Sequence, residues 1–307
     1  GFEDIFDATS IPNDDAIAVS NEGKIISMRN SKINFYDEEL QLVRSQSLGS
    51  FVYSLGISGA KYDPRVIYDQ EEDRFIIVFL SGYDYATNHV IICFSDTNDP
   101  NGDWHFYSVP GNILEDETWS DYPVIAVNNQ ELFISFTNFA DMTSWDTWDF
   151  YGARVIQMNK FQGYQGLEEV DYNYHVINPG FAVDIPSEIY YYNVTPVKGG
   201  KNLYGPNMYF LSTLDCSFPD EDTGEYPSND SVFLIEFSGN MYEDNFEINS
   251  DLLISDIQYG ISGSTPQPNN LHLQTNYNTI RDSFYEYDFI HFTLNSIDYN
   301  NNKAGIY

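Results

Sequence analysis

From Ala16 onward, short runs of β-branched and aromatic residues alternate with clusters of Gly, Asn, Asp and Pro, and no stretch carries an extended helical period of apolar residues. A chain written this way buries its apolar surface by pairing strands. The pattern predicts strands over 16–20, 24–29, 32–36, 65–69, 74–80, 89–95, 104–108, 123–128, 131–138, 153–158, 181–185, 207–213, 231–237, 271–275 and 287–294.

Grouping these strands exposes a repeat. YDPRVIYD from Tyr62 is followed by an acidic turn, then IIVFL, then HVIICFSDT; SDYPVIAV from Ser120 is followed by a turn, then ELFISFTNF, then GARVIQMNK. Asp63 aligns with Asp121, Val66 with Val124 and Ile67 with Ile125, and NDDAIAV at the start of the chain aligns the same way with Asn13 in the Asp slot. Units of this size, each three or four short strands joined by tight turns, are the pattern of an all-β β-propeller with four-stranded antiparallel blades. A β-sandwich also consists of many short strands, but it does not predict such recurrence. Groups starting near 13, 63, 121, 181 and 268 give about five blades, the fourth enlarged by an acidic loop from Asp215 to Asp230. The last group stops in a strand-like KAGIY, so the expectation is one propeller domain over 1–307, part of a six- or seven-bladed whole that continues past Tyr307.

Composition removes several functional classes. The 307 residues include 22 Phe, 25 Tyr and 4 Trp, too much aromatic surface for a disordered chain. With 13 Lys+Arg against 47 Asp+Glu, a formal charge of -34, the chain lacks the clustered cations that phosphate backbones or anionic membranes require. No run of about 18 apolar residues spans a bilayer. The N-terminal GFEDIFDATSIPNDD has no basic n-region or apolar h-region, so a signal sequence is either absent or already removed. Cys93, inside HVIICF, reads as a buried apolar side chain, whereas Cys216 lies in a polar stretch; a disulfide between them is left open. Asn193-Val-Thr and Asn229-Asp-Ser match the glycosylation sequon, a match that recurs by chance in an Asn-rich chain.

The most specific local string is SDTNDPNGDW, Ser95 to Trp104. Its skeleton of Ser95, Thr97, Asp99-Pro100, Gly102 and Trp104 resembles an expanded Asp-box hairpin of sialidase-like propellers. In such a hairpin Asp accepts turn N–H bonds, Gly supplies a positive φ, and Trp staples the turn between blades. More broadly, NDDAIAV, the Asn30–Asp37 hairpin, YDPRVIYD with RFIIVFLSG, SDTNDPNGDW and DYPVIAVNNQELFISFTNF are similar to a family of exported bacterial propeller proteins. The likeness covers Asn13 to Lys160 and only loosely the remainder. Members occur in large secreted or cell-surface polypeptides, including those of gliding Gram-negative bacteria, and mostly lack an assigned activity. The resemblance implies a propeller and an extracellular address rather than a reaction.

Three constellations could carry chemistry. Asp63 and Asp121 would line one rim of a channel, a blade apart, with Asn13 or Asp14 adjacent and Arg65 beside them; paired acids suit glycoside hydrolysis, a bound cation, or capping of strand N–H groups. A sialidase would need three Arg, and Arg65, Arg154 and Arg281 are the ones available, but no local pattern ties a Tyr nucleophile to a Glu. Thr97–Asp103 misses the Asp-x-Asn-x-Asn-Gly calcium loop only in its first residue, making Asp99, Asn101 and Asp103 the expected Ca²⁺ ligands. Trp145, Trp148 and Tyr191 offer flat faces for stacking a sugar or a protein. The five His are dispersed, and there is no Gly-x-Ser-x-Gly elbow, Walker loop or dinucleotide fingerprint. The scarcity of Arg, Lys and His beside the acids favours a non-catalytic module binding other surface proteins or glycans, with a carbohydrate-active enzyme as the alternative.

Overall fold

Runs such as RFIIVFLS and HVIICFS are apolar at nearly every position rather than at every second one, which demands cover on both faces of the sheet. The computed structural model, which describes residues 14–140, 150–177, 193–213, 228–260, 265–267, 271–273, 279–298 and 303–306, meets this demand with stacked blades. Two compact units are present, one of residues 1–151 and 156–175, the other of residues 152–155 and 176–307.

Consecutive strands form each sheet in the first unit. The first sheet runs β1 (Ala16–Val19), β2 (Ile25–Arg29), β3 (Lys32–Tyr36) and β4 (Leu42–Ser47); the second runs β5 (Lys61–Asp69), β6 (Arg74–Ser81), β7 (His89–Ser95) and β8 (Trp104–Pro110). The third is built from β9 (Thr118–Val127), β10 (Glu131–Ala140), β11 (Phe150–Asn159) and β12 (Tyr172–Ile177). The leading strands β1, β5 and β9 lie side by side. Four-stranded meanders with neighbouring innermost strands are the blades of a β-propeller. Between the first two blades Ile26, Ile33 and Phe35 interdigitate with Phe75, Ile77 and Phe79, all fully buried. Val66 on β5 and Val124 on β9 therefore sit on innermost strands of adjacent blades.

Two short helices tie blades together. α1 (Leu48–Phe51) begins at Ser47, whose side chain accepts the Ser50 N–H, and its Phe51 ring meets Trp104 edge-on at 5.3 Å and Phe106 at 5.2 Å. α2 (Lys160–Tyr164) is capped by Asn159 and places Tyr164 edge-on to Phe94 at 5.3 Å. Lys160 at its start is fully buried. Its Nζ donates to Asp69 Oδ2 at 2.7 Å and to the Asn128 carbonyl at 2.9 Å, while the Tyr164 hydroxyl donates to the same Asp69 oxygen at 2.8 Å.

In the second unit, β13 (Thr195–Pro196) and β14 (Lys198–Gly199) are two pieces of one segment. β13 opens a sheet with β15 (Met208–Thr213), β16 (Ser228–Ser238) and β17 (Glu247–Gly260). β18 (Thr265–Gln267) pairs with β19 (Leu271–Leu273), and β14 runs parallel to β20 (Ile280–Glu286), which continues into β21 (Phe289–Asp298) and β22 (Lys303–Ile306). Of the predicted 271–275 strand, Leu271–Leu273 forms a small hairpin outside the fifth four-stranded sheet, and the first long strand of that sheet is 280–286. Its IRDSFYE, like LVRSQS of β4 and YNYHVI of β12, is too polar to stand out as a strand by pattern. The predicted 181–185 strand and Cys216 lie outside the described residues, whereas Cys93 is a fully buried free thiol. Among the described residues no helix is long and apolar enough to cross a membrane.

Replacing Lys160 by Met leaves the Asp69 carboxylate buried without its cation, a change that costs about 3 to 5 kcal/mol. Urea unfolding should show a loss of that size for Lys160→Met and a smaller one for the double change Lys160→Met/Asp69→Leu. Trp104→Ala, which empties the contact with Phe51, should cost about 3 kcal/mol in the same measurement.

Candidate functional site

The geometry of the first unit turns on three residues held at positive φ at the head of the innermost strands: Asp14 (47°), Asp63 (51°) and Tyr122 (51°). Each lies six positions ahead of the residue that caps the following turn, 14 to 20, 63 to 69 and 122 to 128. Ser20 Oγ accepts the Lys24 N–H, Asp69 Oδ1 those of Glu71 and Glu72, and Asn128 Oδ1 those of Gln130 and Glu131. Residues outside Gly rarely occupy this region, and the strain, of order 1–3 kcal/mol each, clusters at functional sites.

For Asp63 and Tyr122 the cause is a bulge. Pairing of β5 with β6 skips from Tyr62↔Leu80 to Arg65↔Val78, and that of β9 with β10 from Asp121↔Thr137 to Val124↔Ser135. The skipped residues are Asp63-Pro64 and Tyr122-Pro123, and proline has no N–H to contribute to the ladder, so the bulge wastes little hydrogen bonding. This sets the true register one residue away from the pattern-based alignment. Asp63 is equivalent to Tyr122 and Asp14, while Asp121 is equivalent to Tyr62. The pattern-based alignment matched Asp to Asp, whereas the prolines Pro64 and Pro123, which share the same place in the two bulges, mark the true register.

The offset nevertheless brings Asp14, Asp63 and Asp121 together. The Asp63 carboxyl lies close to both Asp14 and Asp121, and each of the three perturbs its neighbours. Asn30, in the β2–β3 turn, donates to Asp14 Oδ2 at 2.9 Å and accepts the Asp63 N–H at 3.2 Å, fixing one blade's acid against the next. Burial is the main force on all three groups: it pushes Asp63 up to about 7, with the Asp121 charge adding to the rise, and Asp14 up to about 6, with Asp63 adding. Asp121 is also raised by burial, although the backbone bond from Tyr122 and the bond with Asp63 work against it. The cluster therefore retains shared protons near neutrality.

Arg65 does not neutralise the acids by direct pairing. Among the described residues it makes no ion pair; its Nη1 donates to the Pro64 carbonyl at 3.0 Å and its guanidinium rests on the Tyr122 ring, 5.0 Å from the centroid. Neither Asp63 nor Asp69 forms an ion pair with it. Beside the acids the half-exposed Tyr83 ring lies flat on the buried Tyr62 at 4.5 Å. Both phenols are pushed up by burial and then by the charges of Asp63 and Asp121, a sign of their closeness to the cluster. Tyr62 donates to the Gly82 carbonyl and accepts from Asn88, whose Oδ1 takes the Ser120 N–H at 2.9 Å, so the platform is anchored to the third blade. Tyr83 sits in a Tyr-rich turn with no distinguishing pattern, and only its position beside Asp63 and Asp121 marks it.

The other sequence-derived residues fall elsewhere. In the Asp99 turn, Asp99 Oδ1 accepts the Asn101 N–H at 3.1 Å, Thr97 Oγ1 accepts the Asp99 N–H at 3.2 Å, and Gly102 N–H reaches the Asp99 carbonyl at 2.9 Å. Trp104 Nε1 closes the motif on the Pro100 carbonyl at 3.0 Å. Asp99 is thus occupied in the turn, and Asp103 contributes its backbone carbonyl to the Asp96 N–H. Among the described residues no three His, Cys, Asp or Glu side chains are disposed to hold a metal ion. Arg154 is buried on β11, and Arg281 is half-buried on β20. Trp145, Trp148 and Tyr191 lie outside the described residues. Asn193 of the first sequon is buried beneath its own Thr195 and the Ile280 carbonyl, where no glycan fits.

No family model matches the chain, and no curated protein matches it. Solved structures with a similar course include a subtype N11 neuraminidase-like protein of A/flat-faced bat/Peru/033/2010, at 8% identity and a TM-score of 0.44 over 96% of this chain and 85% of that one. A glycosyl hydrolase from Bacteroides ovatus gives 10% identity and a TM-score of 0.44 over 96% and 82% of the two chains. An α-L-arabinofuranosidase from Lactobacillus brevis gives 10% and 0.41 over 95% and 85%. Likeness at this level carries no activity from those proteins to this one.

The raised carboxyls fix the sign of a pH effect. A carboxyl whose folded value lies above its unfolded value keeps its proton in the folded state while the unfolded chain has lost it, so stability falls as pH rises through that window and is level above it. For Asp63 and Asp14 the window runs from about 4 to about 7. The Tm should fall across it, and Asp63→Asn should flatten the fall and raise the Tm at pH 8.

Proposed function

We propose that the chain is a non-catalytic binding module of a secreted or cell-surface protein, and that its first unit takes a hydroxyl-rich ligand, a glycan, on Asp14, Asp63, Asp121 and the Tyr83 ring. The observation that carries this reading is the proton-sharing chain of carboxyls beside an exposed, stacked tyrosine. A carboxyl that keeps its proton donates to one hydroxyl while its ionised neighbour accepts from another, which suits the vicinal hydroxyls of a sugar. The Tyr83 face offers flat apolar surface for the C–H side of a pyranose. The extracellular address rests on the resemblance of the hairpin motifs to exported propellers.

Hydrolysis is less well supported by the same geometry. Glycosidase carboxyls stand about 5 Å apart or more, to leave space for the glycosidic bond or a water, whereas Asp63 and Asp121 act on each other as close, mutually perturbed neighbours. The one arginine at the cluster is engaged with Pro64 and Tyr122.

A glycan panel screened with and without Ca²⁺ tests the reading. Binding should be found without release of sugar, should weaken at least tenfold in Tyr83→Ala and in Asp121→Asn, and should vary little with salt. Affinity that declines steeply as salt rises would instead identify a cationic ligand, because exposed charges are screened beyond about 8 Å at physiological ionic strength. Sugar release lost selectively in Asp63→Asn or Asp121→Asn would establish a hydrolase, and no response to any glycan would discard the ligand class.

A further inference from the structure

Two Asp–Pro peptide bonds occur in the chain, Asp63–Pro64 and Asp99–Pro100. Such a bond has its own chemistry. An aspartate oxygen closes a five-membered ring on the carbonyl carbon of its own residue, and the proline nitrogen, once it gains a proton, leaves as a secondary amine. The reaction needs an ionised aspartate and a proton donor side by side, a combination that an isolated carboxyl in neutral water lacks. The two bonds differ in this respect. Asp99 is exposed, and its Oδ1 caps the Asn101 N–H of its own turn. Asp63 is half-buried at a bulge, held at φ 51°, with its N–H on Asn30 Oδ1 at 3.2 Å and the carboxyls of Asp14 and Asp121 close by.

We propose that the chain cleaves itself at Asp63–Pro64, with the Asp63 carboxylate as nucleophile and the Asp121 carboxyl as proton donor. An Asp63 side-chain oxygen bonds to the Asp63 carbonyl carbon, the bond from that carbon to the Pro64 nitrogen breaks, and the nitrogen takes the Asp121 proton. This leaves a cyclic anhydride on Asp63 and a secondary amine on Pro64. Water opens the anhydride, giving Asp63 a free α-carboxyl and returning a proton to Asp121, so the net reaction consumes one water. Burial favours this division of roles, because it raises Asp14, Asp63 and Asp121 together and keeps a proton among them where ordinary carboxyls have none. The other groups facing them are Arg65, whose charge favours the ionised forms, and the phenols of Tyr62 and Tyr83. Strain at the positive φ of Asp63 is released when that residue becomes a chain end. Pairing of Tyr62 with Leu80 and of Arg65 with Val78, one on each side of the cut, keeps both pieces in the sheet. The proposal needs no ligand and stands whether or not the cluster binds a glycan.

The test follows the purified full chain at about pH 6 by intact mass. Products 1–63 and 64–307 should form at least tenfold faster than the products of a cut after Asp99, and at least tenfold faster than from the same chain held unfolded in guanidinium chloride at the same pH. The rate should not change with protein concentration. Asp63→Glu, whose carboxylate would have to close a larger ring, should stop the cut, and Asp121→Asn should slow it at least tenfold. A chain that stays intact, equal rates at the two Asp–Pro bonds, or a cut as fast in the unfolded chain would each overturn the proposal. A rate that rises with concentration would overturn it in favour of cleavage between molecules, and an unchanged rate in Asp121→Asn would remove Asp121 as the donor. Comparison of the folded and unfolded forms of the unaltered chain decides the matter even if a variant fails to fold.

Discussion

A buried ammonium holds the first unit's blades in place. Lys160 leaves water entirely to reach a carboxylate on the second blade and a carbonyl on the third, and burying a charge is tolerated only when every nearby partner is in position. Asp69 meets that condition by doing three things at once: one oxygen accepts from Lys160 and Tyr164, and the other caps the turn N–H groups of Glu71 and Glu72. The apolar layers between blades supply attraction without direction. The ion pair adds direction, because a blade that slid by one residue would strand either the lysine or the aspartate without a partner.

That register has a consequence at the other end of the same strands. With Asp69 and Asn128 fixed beside Lys160, the residues six positions earlier are fixed too, and these are the bulged residues Asp63 and Tyr122. The bulge turns a strand-end aspartate toward its neighbours, and Asn30 holds Asp14 and Asp63 at a separation where like charges repel. The repulsion is met in two ways: burial raises the carboxyls so that they hold protons more readily, and the Arg65 charge, from its place on the Tyr122 ring, works in the opposite sense on all three. A rigid network at one end of the blades thus maintains an electrostatically strained cluster at the other, an arrangement expected where a surface is kept ready for a ligand.

At the ends of innermost strands, side chains from adjacent blades converge, so a cluster can be assembled from residues far apart in sequence.

The sequence by itself determined the all-β class and the strands from β1 to β3 and β5 to β11, and pointed to Asp63 and Asp121 through an alignment one residue out of register, because alternation, turn residues and repeat spacing are local or periodic signals. The hydrogen bonds of the Asp99 turn were equally legible, as they run between residues a few positions apart, although Gly102 does not take the expected positive φ. Tertiary structure decided the rest. The one-residue offset between the Asp63 and Asp121 strands was settled by their pairing with β6 and β10, which puts Pro64 and Pro123 at the same place in two equivalent bulges. Tyr83 gained its place only through a loop that folds back on Tyr62, and Lys160 gained its role only because α2 delivers it to Asp69, 91 residues earlier in the chain. The polar strands β4, β12 and β20 were fixed by hydrogen bonds from neighbours already in place, since backbone pairing can impose a strand on residues whose side chains do not call for one.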